Sequence, residues 1–244
     1  MRILASDTST SAGSVALRDR NDKILCEHLD GSRPHSETLL PTVEKILARA
    51  DLRREDIQAI AVGTGPGTFT GLRVGLATFK AWATASGLPM VPVVSMDAVA
   101  WPVLLDGHSS IVLADARKDE VYAAYYPSLD GDSLPKRQGD VILIPHGEVI
   151  EWISSLKDHE AYFAGTGLSL LAGKGLMIEG NTAAGSGVPD AACILGLAEI
   201  LFELGRFVDP SALVPSYVRP PDAKKPSSGI VVTETPGSDR CSDS

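Results

Sequence analysis

The run Gly63-Thr64-Gly65-Pro66-Gly67-Thr68-Phe69-Thr70-Gly71-Leu72-Arg73-Val74-Gly75 constrains this chain most, because it joins a predicted strand over 57–62 to a predicted helix over 68–86 through a glycine-rich loop. Gly63, Gly65 and Gly67 have no Cβ and can take positive φ, so backbone N–H groups can turn toward an anion or a close neighbour at the helix N-terminus. Gly71 and Gly75 stand one turn apart inside the helix, where each costs about 0.8–1.0 kcal/mol relative to alanine. A close contact has to offset that cost. At about 100° per residue, Gly71, Gly75, Thr78 and Trp82 share one face, Leu72, Leu76, Phe79 and Ala83 form the adjoining one, and Arg73 and Lys80 mark a charged edge. So much uncharged surface predicts that one face packs on the helix's own sheet. The glycine face is then expected to admit a second helix at short distance, from this chain or from another subunit.

With 244 residues, the chain suits two lobes of about 100 residues, each large enough for its own core. The net charge of −9 argues against unaided binding of nucleic acid, since phosphate contacts need clustered Lys and Arg. Arg53-Arg54 is followed at once by Glu55-Asp56. No run of about 18 apolar residues occurs, and Met1-Arg2-Ile3-Leu4-Ala5-Ser6-Asp7 turns polar too soon for a signal peptide. A cytoplasmic protein without a membrane partner is expected. Three cysteines, Cys26, Cys193 and Cys241, are odd in number and lack Cys-x-x-Cys spacing, which reads as reduced thiols rather than a disulfide framework or zinc knuckle. His28, His35, His108, His146 and His159 include no pair three to five apart, so a compact helical histidine site is not expected either.

Strands are predicted over 3–6, 14–18 and 24–29, joined by polar turns and therefore antiparallel. A helix follows over 37–50, with Leu39, Leu40, Val43, Ile46, Leu47 and Ala50 on one arc and Pro41 distorting its first turns. After the strand 57–62 and the glycine-led helix come a strand over 90–94 and a short helix around 97–105. The second half repeats part of this plan, with strands over 110–114, 121–126, 141–144 and 161–164 and a helix over 148–156. The stretch 173–187 reads as loop. Asp190 is the expected N-cap of a helix over 191–204 that Gly205 stops. From Pro220 the composition is rich in Pro, Ser, Gly, Lys and Asp, the signature of a disordered tail. The expected division is a lobe over 1–106, a smaller one over 107–219 whose last helix, 190–205, can pack back on the first, and a flexible tail over 220–244.

Two readings of the strand ending in Asp7-Thr8-Ser9-Thr10-Ser11 stay open. It is a self-capping Asx/Ser turn, or it is a hairpin tip that meets nucleotide phosphate and metal, as in proteins of the actin, hexokinase and Hsp70 class. Candidate nucleotide-binding residues are Asp7, Thr8, Ser9, Gly65 and Gly67. The glycine loop matches neither a Walker A sequence nor the dinucleotide fingerprint.

Together, Asp7-Thr8-Ser9, His35-Ser36-Glu37-Thr38-Leu39-Leu40-Pro41, the glycine–phenylalanine run and Tyr217-Val218-Arg219 resemble the bacterial TsaB (YeaZ) family of tRNA threonylcarbamoyladenosine biosynthesis proteins. The resemblance is close over 1–100 and looser to about 220. It implies an α/β, actin-like ATPase (ribonuclease H-like) fold of two lobes with mixed sheets flanked by helices. It also implies a role beside a catalytic TsaD-like subunit and a TsaE-like ATPase in modifying the adenosine next to the anticodon, with tRNA reached through the complex. The catalytic relative carries two metal-binding histidines four residues apart, which fall near Ser95 and Val99 here, and neither side chain can replace imidazole at that site. No catalytic residue and no metal ligand is therefore assigned. His35 beside Ser36 and Glu37 completes no hydrolytic set and reads as a polar helix start. The expected partner surface is His35, Leu39, Leu40, Val43, Phe69, Gly71, Arg73, Gly75, Thr78 and Trp82, which could also pair two copies of the chain when the partner is absent. No tightly bound cofactor is expected, with ATP or ADP at a subunit interface left open. The alternative from another class is an ATP-dependent phosphotransferase using Asp7, with Asp115 as its second carboxylate.

Overall fold

In a computed structural model of the chain, the alternation of large and small apolar residues along the first strands decides which helices cover which face. Residues 1–129, 131, 133–183, 187–216 and 218 are described; Tyr217, Arg219, Cys241 and the expected tail lie outside them. The first sheet holds β1 (Ile3–Asp7), β2 (Ser14–Arg18), β3 (Ile24–His28), β4 (Ala59–Gly63) and β5 (Met90–Val93) in the order β3-β2-β1-β4-β5. The meander β1–β2–β3 is antiparallel, while β4 and β5 run parallel to β1. Successive side chains point to opposite faces. Leu4, Val15, Leu17, Ile60 and Val62 thus face α1 (His35–Arg49) and α2 (Phe69–Ser86), where they pack with Val43, Ile46 and Phe79. Ile3, Ala5, Ala16, Ala59 and Ala61 face the other way.

The alanines on that second face give a helix room to lie close to the sheet. Its occupant is a late one, α6 (Ala191–Glu203), whose Ile194, Leu195, Leu197 and Ala198 pack with Ile3, Ala5, Ala59, Ala61, Val91 and Val93. Asp190 caps α6 by accepting from the Ala192 amide at 2.7 Å, and Gly205 follows the helix at φ 70°, the left-handed stop that glycine favours. Arg18 on β2 grips Glu199 on α6 through two hydrogen bonds of 2.6 and 3.0 Å.

The helix α3 (Ser95–Leu105) links the lobes. It is apolar nearly all round, as a helix buried on both sides must be. Ala98 and Trp101 join the α6 layer, while Met96, Ala100 and Leu104 pack on the second sheet with Val112, Tyr122 and Tyr126. That sheet comprises β6 (Ser110–Asp115), β7 (Glu120–Tyr126), β8 (Ile142–Pro145) and β9 (Tyr162–Ala164), in the order β8-β7-β6-β9 with β9 parallel to β6. It repeats the first sheet's order over four strands. Its outer face carries α4 (Val149–Leu156) and α5 (Gly167–Gly173), with Leu113, Ile144, Phe163 and Leu171 in one cluster.

Observed elements agree with the sequence reading to within one or two residues at most ends. The exception is α5, which the sequence reading did not include. Seven residues bounded by glycines are too short to display a helical period.

Candidate functional site

The β1–β2 hairpin tip meets the glycine loop at the centre of the first lobe, and each glycine serves a contact there. Asp7 ends β1 and is 1% exposed. Its Oδ1 accepts from the Ser9 amide at 2.8 Å and the Ser9 hydroxyl at 2.6 Å, and its Oδ2 accepts from the Ser95 hydroxyl at 2.6 Å. Ser95 Oγ in turn accepts from the Gly65 amide at 3.0 Å. A Cβ on Gly63 would run into the Asp7 carboxylate, and one on Gly67 would run into the Ser9 backbone. The Thr68 amide donates to the Ser9 carbonyl at 2.7 Å. The glycine loop is thus filled by the neighbouring hairpin of the same chain.

The interior glycines of α2 take part in the same packing. Thr8 Oγ1 donates to the Gly71 carbonyl at 2.9 Å. A Cβ on Gly71 would collide with the Thr8 carbonyl oxygen, and one on Gly75 would collide with Thr8 Oγ1. This corrects the expectation of a second helix against these glycines. The close neighbour is the hairpin, so Gly71 and Gly75 are unavailable to a partner. Leu39 and Val43 are likewise buried in the core below α1, at 1% and 0% exposure. They drop out of the partner surface. Leu40 and Phe69 are exposed, with the Arg73 guanidinium 3.6 Å from the Phe69 ring centroid, while Thr78 and Trp82 are half-buried. His35 sits between hairpin and helices, its Nε2 2.7 Å from the Thr10 carbonyl oxygen. A carbonyl only accepts, so Nε2 is the donor in this contact.

Burial raises the Asp7 carboxyl above its ordinary value, and this outweighs the lowering by the Ser9 and Ser95 hydroxyls, the Ser9 amide and the charge of His35. A carboxyl raised in the folded state binds its proton more tightly folded than unfolded. Stability on its account is therefore fullest below the unfolded value of 3.8 and is lost as pH rises through the folded value. Wild type is expected to gain on Asp7→Asn when urea unfolding is repeated at pH 4.5 instead of 7. A stability difference that moves the other way would mean that the hydroxyls, not desolvation, dominate.

The other positions of interest lie apart from the Asp7 network. A cleft of about 430 Å³ between the lobes is lined by Val99, Pro102, Thr166, Ser169, Val188 and Asp190, among others. Val99 stands there as an apolar wall. Asp115, at the end of β6, accepts from the Arg117 amide at 2.7 Å within its own turn and lies 3.8 Å from the Arg117 guanidinium. Among the described residues, no helix is long and apolar enough to cross a membrane.

A pair of sheets with one shared strand order, helices on both faces and a hairpin meeting a glycine-led helix defines the α/β, actin-like ATPase class of folds. Residues 30–140 match the family model described as TsaD, tRNA N6-adenosine threonylcarbamoyltransferase. The tRNA threonylcarbamoyladenosine biosynthesis protein TsaB of Haemophilus influenzae is 29% identical, covering 90% of this chain and 94% of that protein. An uncharacterized protein of Mycobacterium tuberculosis is 41% identical over 126 residues, 51% of this chain and 58% of that protein, so the chain spans somewhat over half the length of such mycobacterial relatives. The solved structure of YeaZ from Pseudomonas aeruginosa superposes with a TM-score of 0.74 at 28% identity, covering 88% of this chain and 99% of that one. Over most of its length the chain is thus similar to TsaB and YeaZ proteins.

Proposed function

We propose that the chain is a non-catalytic partner subunit for N6-threonylcarbamoylation of the adenosine next to the anticodon of tRNAs, acting in the cytoplasm. Its role is to bind and support a TsaD-like catalytic subunit, with a TsaE-like ATPase completing the system and tRNA held by the complex. The observation that carries the non-catalytic part is the enclosure of Asp7. Both of its oxygens accept from hydroxyls and an amide of its own chain, and its burial keeps it from the surface where a metal-bound phosphate would arrive. Ser95 supports the same reading, since at one of the relative's histidine positions it braces Asp7 and the Gly65 amide. An ATP or ADP site, on this reading, needs a subunit interface and not the Asp7 hairpin.

Reconstitution tests the proposal. With tRNA, threonylcarbamoyl adenylate and the two partner proteins, modified adenosine is expected only when this chain is present, and the chain alone should yield none. Modification by the chain alone would make it the enzyme. Undiminished modification in its absence would remove it from the reaction.

A further inference from the structure

Along the chain Cys26 lacks a Cys-x-x-Cys partner, His28 lacks a second histidine three to five residues away, and Asp190 reads as a helix N-cap. The fold brings them together. Cys26 and His28 alternate with Glu27 on β3, so both project to the face that receives α6. Asp190 arrives there as the N-cap of that helix. One ligand atom from each, Cys26 Sγ, a His28 ring nitrogen and an Asp190 carboxylate oxygen, lie within 4.8 Å of one another. The thiol donates to Asp190 Oδ1 at 3.4 Å. A tetrahedral zinc ion with its usual bond lengths holds sulfur and oxygen ligands about 3.6 Å apart, so this pair already has the needed spacing.

We propose that Cys26, His28 and Asp190 form a binding site for a zinc-class divalent transition metal, which reverses the expectation that the chain holds none. Cysteine, histidine and carboxylate together suit a borderline-soft ion and not magnesium or calcium, which take oxygen ligands. Three protein ligands leave the fourth position to water. On binding, the Cys26 S–H bond breaks, its proton passes to solvent, and a sulfur–metal bond replaces the hydrogen bond to Asp190. Thiolate and carboxylate then balance the charge of the ion, with imidazole neutral. Cys26 and Asp190 are half-buried and fixed by strand and helix, while His28 is exposed, so its ring can rotate to close on the ion from solvent. Asp190 Oδ1, which also accepts from the Ala192 amide, has a second lone pair for the ion once the thiol proton has left. Cys193 lies one helical turn on and serves as an internal control.

Cobalt(II) reports such a site directly, because thiolate ligation produces a near-ultraviolet charge-transfer band. The full chain, freed of metal by chelator, is expected to take up one cobalt per chain with that band, and zinc should displace it. Cys26→Ser should lack the band, while Cys193→Ser should keep it. His28→Ala and Asp190→Asn should weaken binding by more than the ~10–100-fold that loss of a supporting second-shell group costs. Asparagine caps helices as well as aspartate, so Asp190→Asn tests the ligand and not the helix, and circular dichroism of each metal-free variant checks the fold. Three results would overturn the site: no band in the folded wild type, uptake well below one ion per chain, or a band that survives in Cys26→Ser or vanishes in Cys193→Ser.

Discussion

Gly71→Val is expected to lower the stability of the subunit by about 3 kcal/mol or more, at the upper end of what overfilling a packed site costs. The obstacle is backbone. A Cβ at this position meets the Thr8 carbonyl oxygen and comes within 2.6 Å of Thr68 Oγ1; the hydroxyl can rotate away, but the carbonyl cannot. The hairpin would have to lift from α2, which also breaks the Thr8 hydrogen bond to the Gly71 carbonyl. For a chain of this size the loss corresponds to a melting point lowered by roughly 6–12 °C. Ala81→Val, on the exposed side of the same helix, controls for the helix propensity of valine. If Gly71→Val melts like wild type and loses only its partner, the glycine face contacts another subunit and the packing argument fails.

Phe69→Asp is expected to act in the opposite way, leaving the fold intact while weakening binding to a TsaD-like subunit by about 30-fold or more, the effect of a hot-spot aromatic worth about 2 kcal/mol. Phe69 begins α2 with 41% of its surface exposed, and Leu40 on the adjacent α1 is 49% exposed. Those two are the exposed apolar side chains that remain, beside His35, Arg73, Thr78 and Trp82, after the core residues are removed from the surface expected for a partner. Arg73 stacked over the ring gives it a defined orientation before any partner arrives. Ile150→Asp, at an equally exposed apolar residue of α4, is the control on the other lobe. Titration calorimetry against the partner decides between them. Normal affinity for Phe69→Asp, with loss for Ile150→Asp, would move the binding surface to α4.

Local patterns along the chain were enough to read the strands, α1, α2 and the cap of α6, because alternation, helical period and the Asp190 and Gly205 signals act over a few residues. They did not reveal what covers each face. A helical wheel correctly groups Gly71 with Gly75, yet an unoccupied face looks alike whether its neighbour is a second subunit or a turn about 60 residues earlier. Leu39 and Val43 share an arc with Leu40 for the same reason, although the first two reach the core and the third points outward. The two readings of Asp7 also depended on distance in sequence. Ser95, the donor that closes the carboxylate on its second side, comes from another element. Cys26 and Asp190 are separated by 164 positions, and only the return of α6 across the first sheet unites them.

The position of α6 also bears on how the chain can be made. The ribosome releases β1, β2, β4 and β5 long before it releases residues 191–203, yet those residues cover the alanine-rich face of the sheet the early strands build. Until they emerge, Ile3, Val91 and Val93 lack the helix that shields them, and α3 has only part of its packing. The usual order, in which an N-terminal unit completes itself during synthesis, is therefore closed to this protein. Its first lobe receives α6 only once the strands of the second have emerged, so the two lobes cannot be completed strictly one after the other.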